Sequence, residues 1–200
     1  MSGSQTLRRA LFLDRDGVMC KMVRYGDKWD SAQRVEDVKL VEGAGEIIKW
    51  ANDNGVLTVE VSNQPGVAKG KMTRQLSDAI EARVHSLLTE QGARVDHKYI
   101  CLHHPKGIVA ELAIECDCRK PKPGLILRAA KEIGIDLSKS LFLGDKASDA
   151  QAGKSAGVKT VLFIHQNDET TKVEEAKDSE ADFKALSMRE VNLIIKRALS

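Results

Sequence analysis

Two kinds of apolar spacing alternate along this chain, and together they predict strands that alternate with helices. Short runs rich in aliphatic and β-branched residues stand at Arg8–Leu13 (RRALFL), Val56–Val61 (VLTVEV), Tyr99–Leu102, Ser140–Leu143 (SLFL) and Val158–Ile164 (VKTVLFI). Each reads as a strand, and the last two are continuously apolar, as strands covered on both faces of a parallel sheet are. Between them the spacing turns helical. Gly43–Asn54 carries Ile47, Ile48 and Ala51 before Gly55, and Thr73–Gln91 sets Leu76, Ile80, Val84, Leu87 and Leu88 on one face before Gly92. Pro123–Ile133 opens on proline and stops at Gly134, and Ser187 with Glu190 forms an S-x-x-E start signal ahead of Val191, Leu193, Ile194 and Ile195. The pattern predicts an α/β fold, a Rossmann-like parallel sheet flanked by helices with right-handed crossovers. The charged tract Asn167–Asp182 reads as a solvated loop or short helix, and no repeat is seen.

Length and charge narrow the picture. A chain of 200 residues is expected to form one domain over 1–200 and to bury a core. With 31 Lys+Arg against 29 Asp+Glu the net charge is +2, without the basic excess of nucleic-acid binders, and the eight aromatic residues (two Trp, two Tyr, four Phe) offer no stacking platform for bases. No apolar run approaches the roughly 20 residues of a membrane span, and MSGSQTLRRA lacks the apolar stretch of a signal peptide. A cytoplasmic protein, monomeric and without membrane or nucleic-acid partners, is expected. In a reducing compartment, clustered cysteines point to metal rather than to disulfides.

Carboxylates stand where such sheets bind ligands, just beyond the carboxyl ends of strands. LFLDRDG places Asp14 and Asp16 after the first strand, and LFLGDKASD places Asp145 and Asp149 after a later one. Acids converging on one cleft repel each other unless a cation or proton lies between them, and hard oxygen ligands beside a phosphate suit Mg²⁺. Asp149 taken alone reads equally as a turn or N-cap residue. Residues 101–120 gather three of the four cysteines, so that Cys101-x-His103 followed by Cys116-x-Cys118 offers a closed tetrahedral Zn²⁺ set, with His104 as the rival to His103. Cys20 stands apart and reads as an inert thiol. The stretch GVAKGK (Gly66–Lys71) nearly spells a P-loop but has one residue too few between its glycines, and Met72 stands where Ser or Thr is needed. It reads as a turn shaping the pocket, in which Lys69 or Lys71 either faces a second phosphate or is simply solvated.

In this order LDRDG, VSNQ, RKP and GDKASD resemble the four motifs of the haloacid dehalogenase superfamily of phosphotransferases. The resemblance implies a phosphatase with little or no cap domain, in which Asp14 takes up the phosphoryl group as an aspartyl phosphate and Asp16 is the general acid and base. It implies that Ser62 and Lys120 hold the phosphoryl oxygens. Mg²⁺ is expected on the Asp14 and Asp145 carboxylates and the Asp16 backbone carbonyl. Asn63, Gln64, Arg119 and Lys146 are the implied substrate contacts. The segment C-x-H-H-P followed by C-D-C-R-K-P is similar to the zinc loop of the heptose 1,7-bisphosphate 7-phosphatases, whose first histidine binds metal, which favours His103. The implied substrate is a small sugar bisphosphate that loses its 7-phosphate. Histidinol-phosphate phosphatases, with a shorter zinc loop, are the alternative, and a zinc-stabilised binding module is a third reading that leaves the strand-end aspartates unexplained. Ser62 stands for a usual threonine and Pro65 for a usual serine. Residues 18–37 match poorly; there Arg24, Tyr25 and Asp27 are candidate sugar contacts.

Overall fold

The structure, a computed structural model, describes residues 7–165, 174 and 179–200. Its centre is a six-stranded, wholly parallel sheet. The strands are β1 (Ala10–Leu13), β4 (Leu57–Asn63), β5 (His97–Cys101), β6 (Leu141–Gly144), β7 (Lys159–Phe163) and β8 (Phe183–Ala185), in the order β5-β4-β1-β6-β7-β8. Residues 23–30 add a small antiparallel hairpin of β2 (Val23–Tyr25) and β3 (Lys28–Asp30).

Side-chain alternation divides each strand between two helical layers. Leu11, Leu13, Leu141, Leu143, Val161 and Phe163 face one layer, formed by α1 (Ala44–Asp53), α2 (Arg74–Glu90) and α5 (Met188–Leu199). Ala10, Phe12, Leu57, Val59, Val61 and Phe142 face the other, where α3 (Gly124–Ile133) and α4 (Ala147–Ala156) lie. Burying side chains the size of Phe12 and Phe142 contributes about 1.5–3 kcal/mol each.

The helix boundaries follow their signals. Thr73 accepts a hydrogen bond from the Leu76 N–H at the start of α2, and Gly134, in the left-handed region at φ 76°, ends α3. At α5 the Ser187 hydroxyl accepts from the Glu190 N–H, while the Glu190 carboxylate accepts from Leu186 rather than from Ser187 itself. Three elements carried no sequence signal. The sequence of α4, ASDAQAGKSA, packs through small residues: a Cβ on Gly153 would lie 2.2 Å from Thr160 Cγ2, so the close approach replaces an apolar stripe. Strand β8 and the β2–β3 hairpin are three residues a strand, too short for periodicity to register. Of the tract Asn167–Asp182, all but Glu174 and residues 179–182 lies outside the described residues.

Candidate active site and metal clusters

Strand β1 lies between β4 and β6, with Leu13 beside Glu60 on one side and Leu143 on the other. The chain leaving β1 therefore emerges at Asp14 between Ser62 at the end of β4 and Asp145 just past β6. The Asp14 N–H donates to the Leu143 carbonyl at 3.0 Å, which holds the turn against β6. Gly17, at φ 88°, passes so close to this cluster that a Cβ would stand 2.1 Å from Asp145 Oδ2, so only glycine fits.

One oxygen from each of Asp14, Asp145 and Asp149 lies within 4.8 Å of the others. Two lysines face them. Lys120 Nζ, fully buried, stands 2.9 Å from Asp14 Oδ1 and 2.8 Å from Asp149 Oδ1, and donates to the Val61 carbonyl at 2.9 Å. Lys146 Nζ lies 3.0 Å from Asp145 Oδ1 and 3.9 Å from Asp14 Oδ2. Three carboxylates against two ammonium groups leave one negative charge in excess, and it shows on Asp145. Burial pushes this carboxyl up to about 7, with Asp14 and Asp149 adding to the rise against the pull of Lys146. A bound cation would remove that cost, so the donor set fits Mg²⁺. Asp149 is committed elsewhere: its Oδ2 accepts from the backbone N–H groups of Asp145 and Lys146 at the start of α4, and its Oδ1 faces Lys120. From the third position of α4 it caps the helix start and anchors a lysine at once, and Asp14 and Asp145 remain for a metal.

The Asp16 side chain stands outside this carboxylate cluster. Arg15 grips it with two donors, Nε to Oδ1 and Nη2 to Oδ2, each 3.2 Å, and Gln64 Nε2 and the Ser31 hydroxyl donate to Oδ2 at 2.6 and 2.8 Å. Burial opposes its charge, but Arg15 and then Gln64 outweigh burial and hold the carboxyl below its usual range. Gln64 also donates to Ser62 Oγ at 2.9 Å and accepts from Arg15 at 2.5 Å. Two expected substrate contacts have protein partners here. Gln64, predicted to touch substrate, is buried and ties Ser62 to Asp16, and Asn63 is taken up by the Lys120 backbone, donating to its carbonyl at 3.0 Å and accepting from its N–H at 3.1 Å.

Beyond β5 the four predicted zinc ligands converge. Cys118 Sγ lies 3.3 Å from Cys101 Sγ, 3.2 Å from Cys116 Sγ and 3.4 Å from His103 Nδ1, and all four ligand atoms lie within 4.8 Å of one another. Such crowding of thiols suits one tetrahedral ion with Zn–S near 2.3 Å. Burial pushes the Cys118 and Cys101 thiols up. His104 is turned to the loop itself, its Nδ1 accepting from the Lys106 N–H at 3.1 Å, which decides between the two histidines. The loop docks on the 66–71 turn, where Ile108 and Val109 donate to the Ala68 carbonyl at 2.7 and 3.2 Å. Amides in that turn are spent internally, Lys69 on Pro65 and Lys71 on Gly66, so no P-loop cradle forms.

Docking brings Lys69, His104 and Arg119 together. Burial and then the charges of Lys71 and Arg119 lower the Lys69 ammonium, and burial followed by Lys69 and Arg119 lowers His104. Arg119 is held by the His103 carbonyl at 3.3 Å. The candidates from residues 18–37 lie elsewhere. Arg24 and Asp27 pair with each other at the exposed hairpin tip, and the Tyr25 hydroxyl donates to Asp37 at 2.6 Å. Ser31, on Asp16, and Asp30, paired with Lys71, are the contacts from this segment that the sequence did not signal. Cys20 is buried, and burial pushes its thiol up to about 11, as an inert thiol requires. No helix among the described residues is long and apolar enough to cross a membrane.

Residues 117–190 match the family model described as HAD-hyrolase-like. Over 158 residues the chain is 37% identical to the D-glycero-β-D-manno-heptose-1,7-bisphosphate 7-phosphatase of Haemophilus ducreyi, covering 78% of this chain and 83% of that protein. It is 36% identical to the D-glycero-α-D-manno-heptose-1,7-bisphosphate 7-phosphatase of Burkholderia mallei, covering 80% and 82%. The fold matches the crystal structure of D,D-heptose 1,7-bisphosphate phosphatase from B. bronchiseptica complexed with magnesium and phosphate, with a TM-score of 0.77, 24% identity and coverage of 94% and 98%. The Asp14 cluster at the ends of β1 and β6, the four-ligand loop and these relatives agree: the chain belongs to the heptose-1,7-bisphosphate 7-phosphatase family of haloacid dehalogenase-like phosphatases.

Proposed function

We propose that the chain removes the 7-phosphate of D-glycero-D-manno-heptose 1,7-bisphosphate through an aspartyl-phosphate intermediate, with Mg²⁺ at the reaction site and Zn²⁺ in the 101–120 loop. One observation carries the bisphosphate reading. Arg119, the chain neighbour of the site lysine Lys120, joins Lys69 in a second cationic group where the zinc loop meets the 66–71 turn, with the His104 imidazole, lowered by burial and then by both charges, beside them. Two cationic centres suit a substrate with two phosphates, and the planar fork of Arg119 can hold the one that stays. The name relatives carry for their substrate supports the same reading.

In this reading Asp14 attacks phosphorus, and the P–O bond to the sugar breaks as Asp16 gives its proton to the leaving alkoxide. Asp16, oriented by Arg15, must take up a proton before this step, since an ionised carboxylate has none to give. It then takes a proton from the water that attacks the aspartyl phosphate, which frees Asp14 and inorganic phosphate. Lys120 and Ser62 hold the phosphoryl oxygens, Lys146 adds a second positive charge beside Asp14, and Asp149 keeps Lys120 in place. Mg²⁺, held by the Asp14 and Asp145 carboxylates and the Asp16 carbonyl, would supply charge neutralisation. Zn²⁺, held by Cys101, His103, Cys116 and Cys118, would fold the loop that presents Arg119 and Lys120.

Phosphate release across a panel tests this: both anomers of the heptose bisphosphate, sugar monophosphates and histidinol phosphate. The bisphosphate is expected to have the highest kcat/KM, with phosphorus NMR showing the 7-phosphate leaving first. A preference for histidinol phosphate, or first loss of the 1-phosphate, overturns the proposal.

A further inference from the structure

Resting on the reading of Asp16 as general acid and base, we infer that Glu81 is a positioning residue for that carboxyl, acting through Arg15 from helix α2. The contacts are buried except at His85, which is partly exposed. Alternation along β4 turns Glu60 toward α2, where it is wholly buried, and α2 presents Glu81 and His85 one turn apart. His85 Nε2 lies 2.9 Å from Glu60 Oε2 and 3.1 Å from Glu81 Oε1. Glu81 Oε2 lies 3.1 Å from Arg15 Nη1, and the remaining edge of the same guanidinium holds both oxygens of Asp16 and the Gln64 carbonyl oxygen. Arg15 is thus pinned between two carboxylates, one in the site and one on α2.

Three points favour positioning over other roles. Arginine keeps its proton, so no proton passes along this chain of contacts and it acts through geometry and charge. The cluster already contains its cations, Arg15 and His85, and so needs no metal between Glu60 and Glu81. Glu60 Oε1 and Glu81 Oε1 are buried without a hydrogen-bond partner, and burial pushes the Glu60 carboxyl up to about 7, so a proton on Glu60 is the means by which this pair lowers its own cost. Burying this many charges is costly unless each is paired. What the arrangement provides is a guanidinium whose position relative to Asp16 is set from outside the site. Without Glu81, Arg15 loses its outer anchor and Asp16 its fixed starting orientation.

The test exploits the leaving group. A sugar alkoxide needs a proton as it departs, whereas p-nitrophenolate leaves unaided, and kcat/KM for either ester reports steps through the first departure. Glu81→Gln is expected to lower kcat/KM about tenfold or more on the heptose bisphosphate and about twofold or less on p-nitrophenyl phosphate, a fraction of the full general-acid contribution. Equal losses on both substrates, or no loss on either, overturn the inference. Should Glu81→Gln fail to fold, Arg15→Lys, which keeps the charge and removes the fork, is expected to give the same selective loss, and an equal loss again overturns it. Asp16→Ala run alongside separates the two claims. If Asp16→Ala slows both substrates equally, the reading of Asp16 falls and the inference with it; if Asp16→Ala is selective and Glu81→Gln is not, the inference alone falls.

Discussion

At Asp14 one carboxylate lies 2.9 Å from Lys120 and 3.9 Å from Lys146, beside two further aspartates. The local balance of three negative against two positive charges makes a specific prediction for the predicted nucleophile. Asp14→Asn removes the attacking oxygen while bringing the charges level, so the Asp145 carboxyl loses one of its repelling neighbours. Phosphate release is expected to fall by about 10³-fold or more, as when a nucleophile acting as part of a unit is removed. The melting temperature should stay level or rise. Phosphate-release kinetics with a thermal melt check both, and a variant with more than about a tenth of wild-type turnover and no deamidation removes Asp14 from the nucleophile's role. Asp149 shows how residue type can mislead. Its position after GDKAS reads equally as helix cap or as site acid, and in the fold it is both, because one oxygen caps α4 and the other faces Lys120.

Helix α2 is fastened to β4 by charge as well as by its apolar stripe. Hydrogen bonds to Glu60 and then Glu81, working against burial, raise the His85 imidazole to about 9 from 6.5. Because the folded value is the higher one, this stabilisation is fully present below pH 6.5, where His85 is charged in both states, and is lost as pH rises through about 9. Burial pushes Glu81 the other way, but His85 and Arg15 hold it down to about 2, so it stays ionised across that window. Wild type is therefore expected to lose about 1–2 kcal/mol between pH 6.5 and pH 9 relative to His85→Gln. Urea unfolding of both proteins across that range measures it. Parallel stability curves would mean that folding does not raise the His85 pKa. Glu60 gave no sequence signal here, since one glutamate inside VLTVEV reads as the solvated side of an alternating strand; only the packing of α2 on that face makes it an interior carboxylate.

Across the whole molecule the two metal clusters occupy different structural positions, and they should fail differently. The Asp14 cluster sits on strand ends already fixed by the sheet, whereas the cysteine loop runs from Cys101 to Cys118 with one short 3₁₀ turn, Ala110–Leu112, as its regular structure. A weak chelator that takes Mg²⁺ is expected to stop turnover reversibly and leave the melting temperature nearly unchanged. Cys118→Ser is expected to lower both activity and melting temperature with Mg²⁺ saturating, since a structural zinc contributes on the order of 10 kcal/mol to folding its motif. Elemental analysis should find about one zinc per chain in wild type. Zinc-free active protein, or a Cys118→Ser variant with full activity and stability, removes the zinc staple from this account.

Local spacing alone determined five of the six sheet strands, the four helices with an apolar stripe, the acids at the ends of β1 and β6, and the three cysteines and histidine pair that are the loop's candidate metal ligands. Those features depend on near neighbours: period-2 and period-3.6 apolar patterns, caps, and ligands a few residues apart. Tertiary structure decided the order β5-β4-β1-β6-β7-β8, which places the β4 and β6 ends on either side of Asp14. It also decided between His103 and His104, gave Asp149 its two tasks, and drew Asn63 and Gln64 inward. The buried chain from Glu60 through His85, Glu81 and Arg15 to Asp16 belongs to the same class. Its members come from β4, α2 and the loop after β1, and no local pattern records which faces meet, because that choice is made by long-range burial of the sheet against its helices.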